Sequence, residues 1–201
     1  MDKQLIKVNS GSITFPAYYQ KVDSMPGDPE NSEPYAVQTP NAECIVFVSA
    51  EDYSKALPRE QNELITGIRQ FLSDNQGLIK VVAEKDYVYS IVKNLKEPNG
   101  VQYILTYQKF YADFFINIQG FFEETGMRGI RDSMVLELLK REGTLGNNED
   151  PFAGWMKDPY DDSITIGARM NLSEQEEFDE KFPGFPLSMC RELVKCLIEE
   201  E

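Results

Sequence analysis

Histidine is absent from all 201 residues of this chain. Its absence removes the commonest general base near neutral pH, the Ser-His and Cys-His dyads, and the usual zinc and iron ligand sets. Carboxylates, Lys, Tyr, Cys and oxygen-ligated metals are what remain for chemistry. Cysteine is scarce too. Cys44, Cys190 and Cys196 make an odd number without metal-like spacing, and they read as buried thiols in a reducing compartment. Cys44 lies in an apolar run with no histidine to activate it, which argues against a nucleophile. Positive charge is short: 20 Lys and Arg face 34 Asp and Glu, a net charge of −14. That balance repels a phosphate backbone and an anionic lipid surface, so neither nucleic acid nor membrane is expected as a partner. No apolar run approaches membrane-spanning length, and Met1–Lys7 holds no signal-like apolar stretch. A cytoplasmic location follows as the expectation.

What is present suffices for one domain with a real core, since apolar residues make up 41% of the chain. The acidity is uneven. Residues 147–201 hold 14 acids and 5 bases, whereas residues 1–146 hold 20 and 15. If the charge has a functional meaning, it concentrates in the last quarter, and a basic protein surface is the partner it suits.

Leu5 to Val8 and Ser12 to Tyr19 read as strands around Ser10-Gly11. Val22 to Pro34 is a proline-rich acidic loop. Tyr35 to Thr39 and Cys44 to Ser49 follow as strands, the second apolar enough for burial on both faces. From Arg59 to Ser73 the apolar period becomes 3.6, with Leu64, Ile65, Ile68, Phe71 and Leu72 on one stripe, and Gly67 reads as a point of close helix–sheet approach. Leu78 to Ala83, Tyr87 to Leu95, Val101 to Tyr111 and Phe114 to Phe122 then form a meander rich in β-branched and aromatic residues, with Asn99-Gly100 as its strongest hairpin signal. Both faces carry apolar atoms, which predicts full cover on one face and partial cover on the other. Ile130 to Leu139 is a helix closed by Gly143 at C′. Ser173 with Glu176 spells a capping box, and Pro186 opens a last helix with Leu187, Cys190, Leu193, Val194 and Leu197 inward. The fold class is therefore α+β, an antiparallel meander flanked by helices, with an acidic C-terminal helical extension.

The order strands, helix, four-stranded meander, helix resembles the PsbP-like fold. The likeness lies in the passage from Leu78-Ile79 through Gln119-Gly120-Phe121 to the helix start at Arg128-Gly129. That superfamily includes the extrinsic PsbP subunit of photosystem II, a Ran-binding import factor and small bacterial proteins. The resemblance implies a PsbP-like domain over residues 1–146, with residues 147–201 packed on it, and it implies binding of other macromolecules. The segments Lys157-Asp158-Pro159-Tyr160-Asp161 and Met170-Asn171-Leu172-Ser173-Glu174 also look like uncharacterised proteins of gut Firmicutes.

The chemically suggestive point is Gly126, Arg128, Gly129 and Arg131 at a helix N-terminus, where backbone N–H groups and guanidinium can hold an anion or a partner's carboxylate. The alternative is a plain strand-to-helix turn whose arginines pair with Glu123, Glu124 or Asp132. Trp155, the one tryptophan, is the other candidate contact. Glu123 and Glu124 are adjacent in a strand and point to opposite faces, so they do not form a working pair. Asp158, Asp161 and Asp162 lack the spacing of a calcium loop. No catalytic residue, metal ligand or cofactor is assigned. The leading expectation is a non-catalytic interaction module, an adaptor or immunity-type binder. The competing one is a small-ligand or metal binder, or a hydrolase, that uses carboxylates.

Overall fold

The alternation of Tyr87, Tyr89 and Ile91 with Val88, Ser90 and Val92 requires a strand with two different faces. The computed structural model describes residues 2–98, 100–146 and 149–199 and shows what each face meets. Lys3–Val8 (β1) and Gly11–Pro16 (β2) form a separate hairpin. Seven further strands make one sheet: β3 (Gln20–Lys21), β4 (Glu33–Gln38), β5 (Ala42–Glu51), β6 (Gln76–Ala83), β7 (Tyr87–Lys96), β8 (Gly100–Phe110) and β9 (Phe115–Glu124). Their order is β3-β4-β5-β9-β8-β7-β6, and every neighbouring pair is antiparallel. Helices α1 (Gln61–Arg69), α2 (Ile130–Glu142) and α3 (Pro186–Ile198) flank it, and Met156–Lys157 (β10) pairs with Met170–Asn171 (β11). The protein is α+β, built on a large antiparallel sheet.

The inner face carries Val46 and Val48 of β5, Ile116, Ile118 and Phe122 of β9, Leu105 and Tyr107 of β8, and Ile91 of β7. Helix α3 adds Leu187, Met189, Cys190, Leu193, Val194 and Leu197 to the same cluster, and the first hairpin adds Ile6, Ile13 and Phe15. Ten residues of α3 are buried, so this is a central helix rather than a surface one. Burying those six apolar side chains contributes on the order of 10 kcal/mol gross. The outer face is covered over β6 and β7 by α1, where Leu64 meets Leu78, Val81, Val88 and Val92. A third cluster, Val135, Phe178 and Phe182, ties α2 to the 3-10 turn at Glu176–Lys181, which follows another at Leu172–Glu174.

The β6 edge is covered by side chains. Tyr160 Oη lies 2.6 Å from the Val81 N–H, which donates to it, and Gln61 bonds both the Val81 carbonyl and the Ala83 N–H. A sheet edge protected in this way is closed to further strands.

Several local expectations are corrected. Helix α1 spans only Gln61–Arg69, started by the Glu60 carboxylate accepting from the Glu63 N–H. A Cβ on Gly67 would meet nothing within 4 Å; the close approach is at Gly77, where a Cβ would lie 1.7 Å from the Ala168 carbonyl oxygen. The capping box is formed by Asn171 and Glu174, not by Ser173 and Glu176, and it starts a 3-10 turn. Gly143 closes α2 at φ +70°, its N–H reaching back to the last turn. Asn99 of the expected Asn99-Gly100 turn lies outside the described residues, as do Asn147, Asn148 and the last two glutamates.

Candidate functional site

Strand β9 ends at Glu124, and the chain reverses through Thr125–Gly129 into α2. Gly126 and Gly129 both adopt positive φ, and a Cβ on Gly126 would sit 2.8 Å from the Pro40 carbonyl oxygen. No side chain caps α2 from its N-cap, Gly129. The Gly129 N–H instead donates to Glu124 Oε1 at 2.9 Å. Burial of Glu124 raises its pKa, against the lowering effect of that N–H. Arg128 is exposed and donates to the Pro98 carbonyl at 2.7 Å, holding the β7–β8 turn. Arg131 points the other way, into the protein.

There Arg131 joins a buried charge network. Its Nε donates to the Ser173 carbonyl at 2.7 Å, one Nη to Ser188 Oγ at 2.9 Å, and the other to Asp179 Oδ1 at 3.0 Å. Arg191 reaches the same Asp179 oxygen at 3.0 Å. Lys93, 6% exposed, pairs with Glu174, 0% exposed, at 2.9 Å. Tyr103 Oη donates to Glu174 Oε1 at 2.6 Å, and the Asn171 N–H donates to Oε2 at 2.7 Å. Asp132 accepts from Asn171 Nδ2 and Ser173 Oγ. Burial, reinforced by the Glu174 charge, holds the Tyr103 phenol well above its ordinary pKa. Lys93 thus faces Glu174, and Arg131 and Arg191 share Asp179, while Asp132 is held by the neutral donors Asn171 and Ser173.

This network joins the body of the chain to its last quarter. The same direction of pairing recurs in Arg69 with the buried Asp158 (2.5 Å) and, at the surface, in Lys80 with Glu176 (3.3 Å) and Lys3 with Glu199. The acids of the last quarter serve as internal counter-ions for bases of the preceding sequence. A cleft of about 580 Å³ opens beside the network, lined in part by Lys93, Lys96, Glu97 and Glu124.

The remaining candidates sit as follows. Trp155 is half-buried against the Val135–Phe178–Phe182 cluster. All three cysteines are free and buried. Burial pushes the Cys44 thiol up to about 12 and raises Cys190 and Cys196 as well. Asp158 accepts the N–H groups of Tyr160 and Asp161, and Asp161 accepts from Ser163. Among the described residues no group of three or more metal-ligating side chains is gathered. Nor is any helix among them long and apolar enough to cross a membrane.

Partial cover of the second face, expected from its apolar atoms, is what the structure shows. Among the described residues no helix lies on the outer face over β3, β4, β5 and β9. One cross-sheet row is Gln38, Glu43, Glu123 and Gln102, and the next is Ala36, Ile45, Phe121 and Ile104. The loop carrying Val22, Asp23, Met25 and Asp28 walls one side of a cleft of about 910 Å³. Met25 is 72% exposed beside it. Four carboxylates line the cleft (Asp23, Asp28, Glu43 and Glu123), and no Lys or Arg does so among the described residues. Glu43 and Glu123 are direct cross-strand partners, a like-charge juxtaposition that is destabilising. Lys96 pairs with Glu123 from one side at 2.5 Å.

No family model matches the chain, and no curated protein does. Among solved structures it resembles the Ran-binding protein Mog1p of Saccharomyces cerevisiae at 12% identity and a TM-score of 0.42, over 68% of this chain and 84% of that one. A second structure, of a point mutant of protein Mog1, gives 12% identity and a TM-score of 0.43, over 66% and 84%. These findings correct the expected membership of the PsbP-like superfamily and the expected kinship with gut Firmicutes proteins: no family model supports either, and the likeness seen is a distant one to Mog1p.

Proposed function

We propose that the chain is a non-catalytic protein-interaction module, a cytoplasmic adaptor or immunity-type binder, that docks its partner on the uncovered half of the outer sheet face. The carrying observation is the cleft of about 910 Å³ over Ile45 and Phe121, walled by a loop that exposes Met25. An apolar floor with a polar rim is the anatomy of a recognition surface. The ionisable groups elsewhere support the same reading, because Lys93, Glu174, Arg131, Arg191 and Asp179 are committed to one another and the thiols are held protonated. The test is co-purification of the tagged full chain from the cells that make it. A stable partner should be lost on Ile45→Asp or Phe121→Asp and kept on Phe71→Asp, which alters an exposed apolar residue elsewhere. If no partner is retained, or all three variants keep it, the reading fails.

A small-ligand binder or hydrolase using carboxylates is the second reading. It is favoured by the cleft of about 580 Å³, where the buried Glu124 carboxyl has a raised pKa. Thermal unfolding with divalent metals and with nucleotides tests it, and an unmoved midpoint removes it.

A further inference from the structure

We infer that the occupant of the open sheet face is a basic protein segment, one that carries lysine or arginine around a large apolar side chain. The inference rests on the interaction reading above and gives its partner a chemistry.

Three observations converge on it. The floor is apolar at Ile45 and Phe121, with Val22 and Met25 on the wall, so a buried side chain from the partner has a place to go. The rim is of one sign. Asp23 and Asp28 stand on the loop side, Glu43 and Glu123 on the strand side, and no Lys or Arg lines the cleft among the described residues. Charge of one sign around a low-dielectric floor focuses the field toward the cleft and favours cations there.

The third observation is the register. Glu43 and Glu123 oppose each other across β5 and β9, flanked by Gln38 and Gln102, which bring no charge. Lys96 serves Glu123 from the far side, away from Glu43. A folded sheet gains by placing an opposite charge at such a position. This one holds two carboxylates there, of which Lys96 serves only Glu123, and a cation arriving from outside relieves Glu43. The contrast with Glu174 and Asp179, which the protein matches with its own cations, shows that the chain is able to satisfy carboxylates when the fold requires it.

The test is fluorescence anisotropy with a fluorescein-labelled synthetic peptide in which lysine alternates with leucine. One control peptide has glutamate in place of lysine, and another has serine in place of leucine. The lysine-leucine peptide should bind, weakening as salt rises, and both controls should bind far less. Glu43→Gln with Glu123→Gln should weaken binding by about tenfold. Glu177→Gln with Glu180→Gln removes the same net charge from another exposed site and should change nothing. Equal losses from the two pairs, or equal binding of the glutamate peptide, would overturn the inference.

A photocross-linker placed by Phe121→p-benzoylphenylalanine in the full chain separates this failure from failure of the interaction reading. A cross-linked partner peptide rich in Lys or Arg supports the inference. A neutral or acidic one overturns the charge assignment and leaves the interaction reading standing, whereas no cross-linked protein at all overturns both.

Discussion

Carboxylates occupy two opposite settings in this protein. Where α2 meets α3, Glu174 is met by Lys93 and Asp179 by Arg131 and Arg191, all with little side-chain exposure. On the open outer face Asp23, Asp28, Glu43 and Glu123 stand around an apolar floor without a lining base among the described residues. Formal charge alone does not distinguish the two, yet one set holds the chain together and the other burdens it. Burial with matched partners makes a charge part of the fold, because removing either partner strands the other in a poor solvent. A carboxylate set opposite another across two strands, as Glu43 is to Glu123, has energy still to gain from something outside.

The sharpest test of that contrast is removal of the last quarter of the chain. A truncation after Gly146 strips α3 from the inner face and takes away the counter-ions of Lys93 and Arg131. It should give no cooperative unfolding transition by circular dichroism, and a folded fragment would refute the idea that the acidic quarter is integral. Glu174→Ala comes next. It leaves Lys93 buried without its partner and should cost about 3–5 kcal/mol in urea denaturation. Combining it with Lys93→Met should recover much of that loss, since no charge is then stranded.

Glu43→Gln should move stability the other way. Relieving the cross-strand repulsion should stabilise by up to about 1 kcal/mol, and the gain should shrink as salt screens it. If Glu43→Gln destabilises as Glu174→Ala does, the distinction between the two settings collapses.

The smallest effect concerns pH. Glu124 has a folded-state pKa above its ordinary 4.5, so the folded protein binds its proton more tightly than the unfolded chain does. Stability therefore falls as pH rises from 4.5 through the raised value and is level beyond it. Glu124→Gln keeps an acceptor for the Gly129 N–H and should flatten that slope, measured by thermal unfolding across the window.

The sequence exposes the parts of this contrast that are local. The period-2 runs mark the meander, Gly143 and Pro186 mark helix ends, and Leu187, Cys190, Leu193, Val194 and Leu197 are inward as their spacing implies. Partial cover of the second face is legible as well, because apolar atoms occur on both. Which half stays open is not, since that depends on where one short helix docks. The charge network is hidden for the same reason. Arg131 has acidic neighbours at Glu123, Glu124 and Asp132, yet its guanidinium partners are Asp179, Ser173 and Ser188, far along the chain. Asn171-Leu172-Ser173-Glu174 and Ser173-Glu174-Gln175-Glu176 both have capping-box spacing. Only Tyr103, 71 residues upstream of Glu174, and Lys93 decide between them.

The central position of α3 has a consequence for biosynthesis. Residues 186–198 leave the ribosome after every strand of the seven-stranded sheet, yet they complete its inner face. Until then a nascent chain carries Val46, Leu105, Ile116 and Ile118 uncovered, a state open to aggregation and to chaperones. Pairings that span most of the sequence, such as β2 against α3, also make folding slow. The sheet is thus completed by a helix synthesised after all of its strands, and the speed of translation sets how long its core stands open.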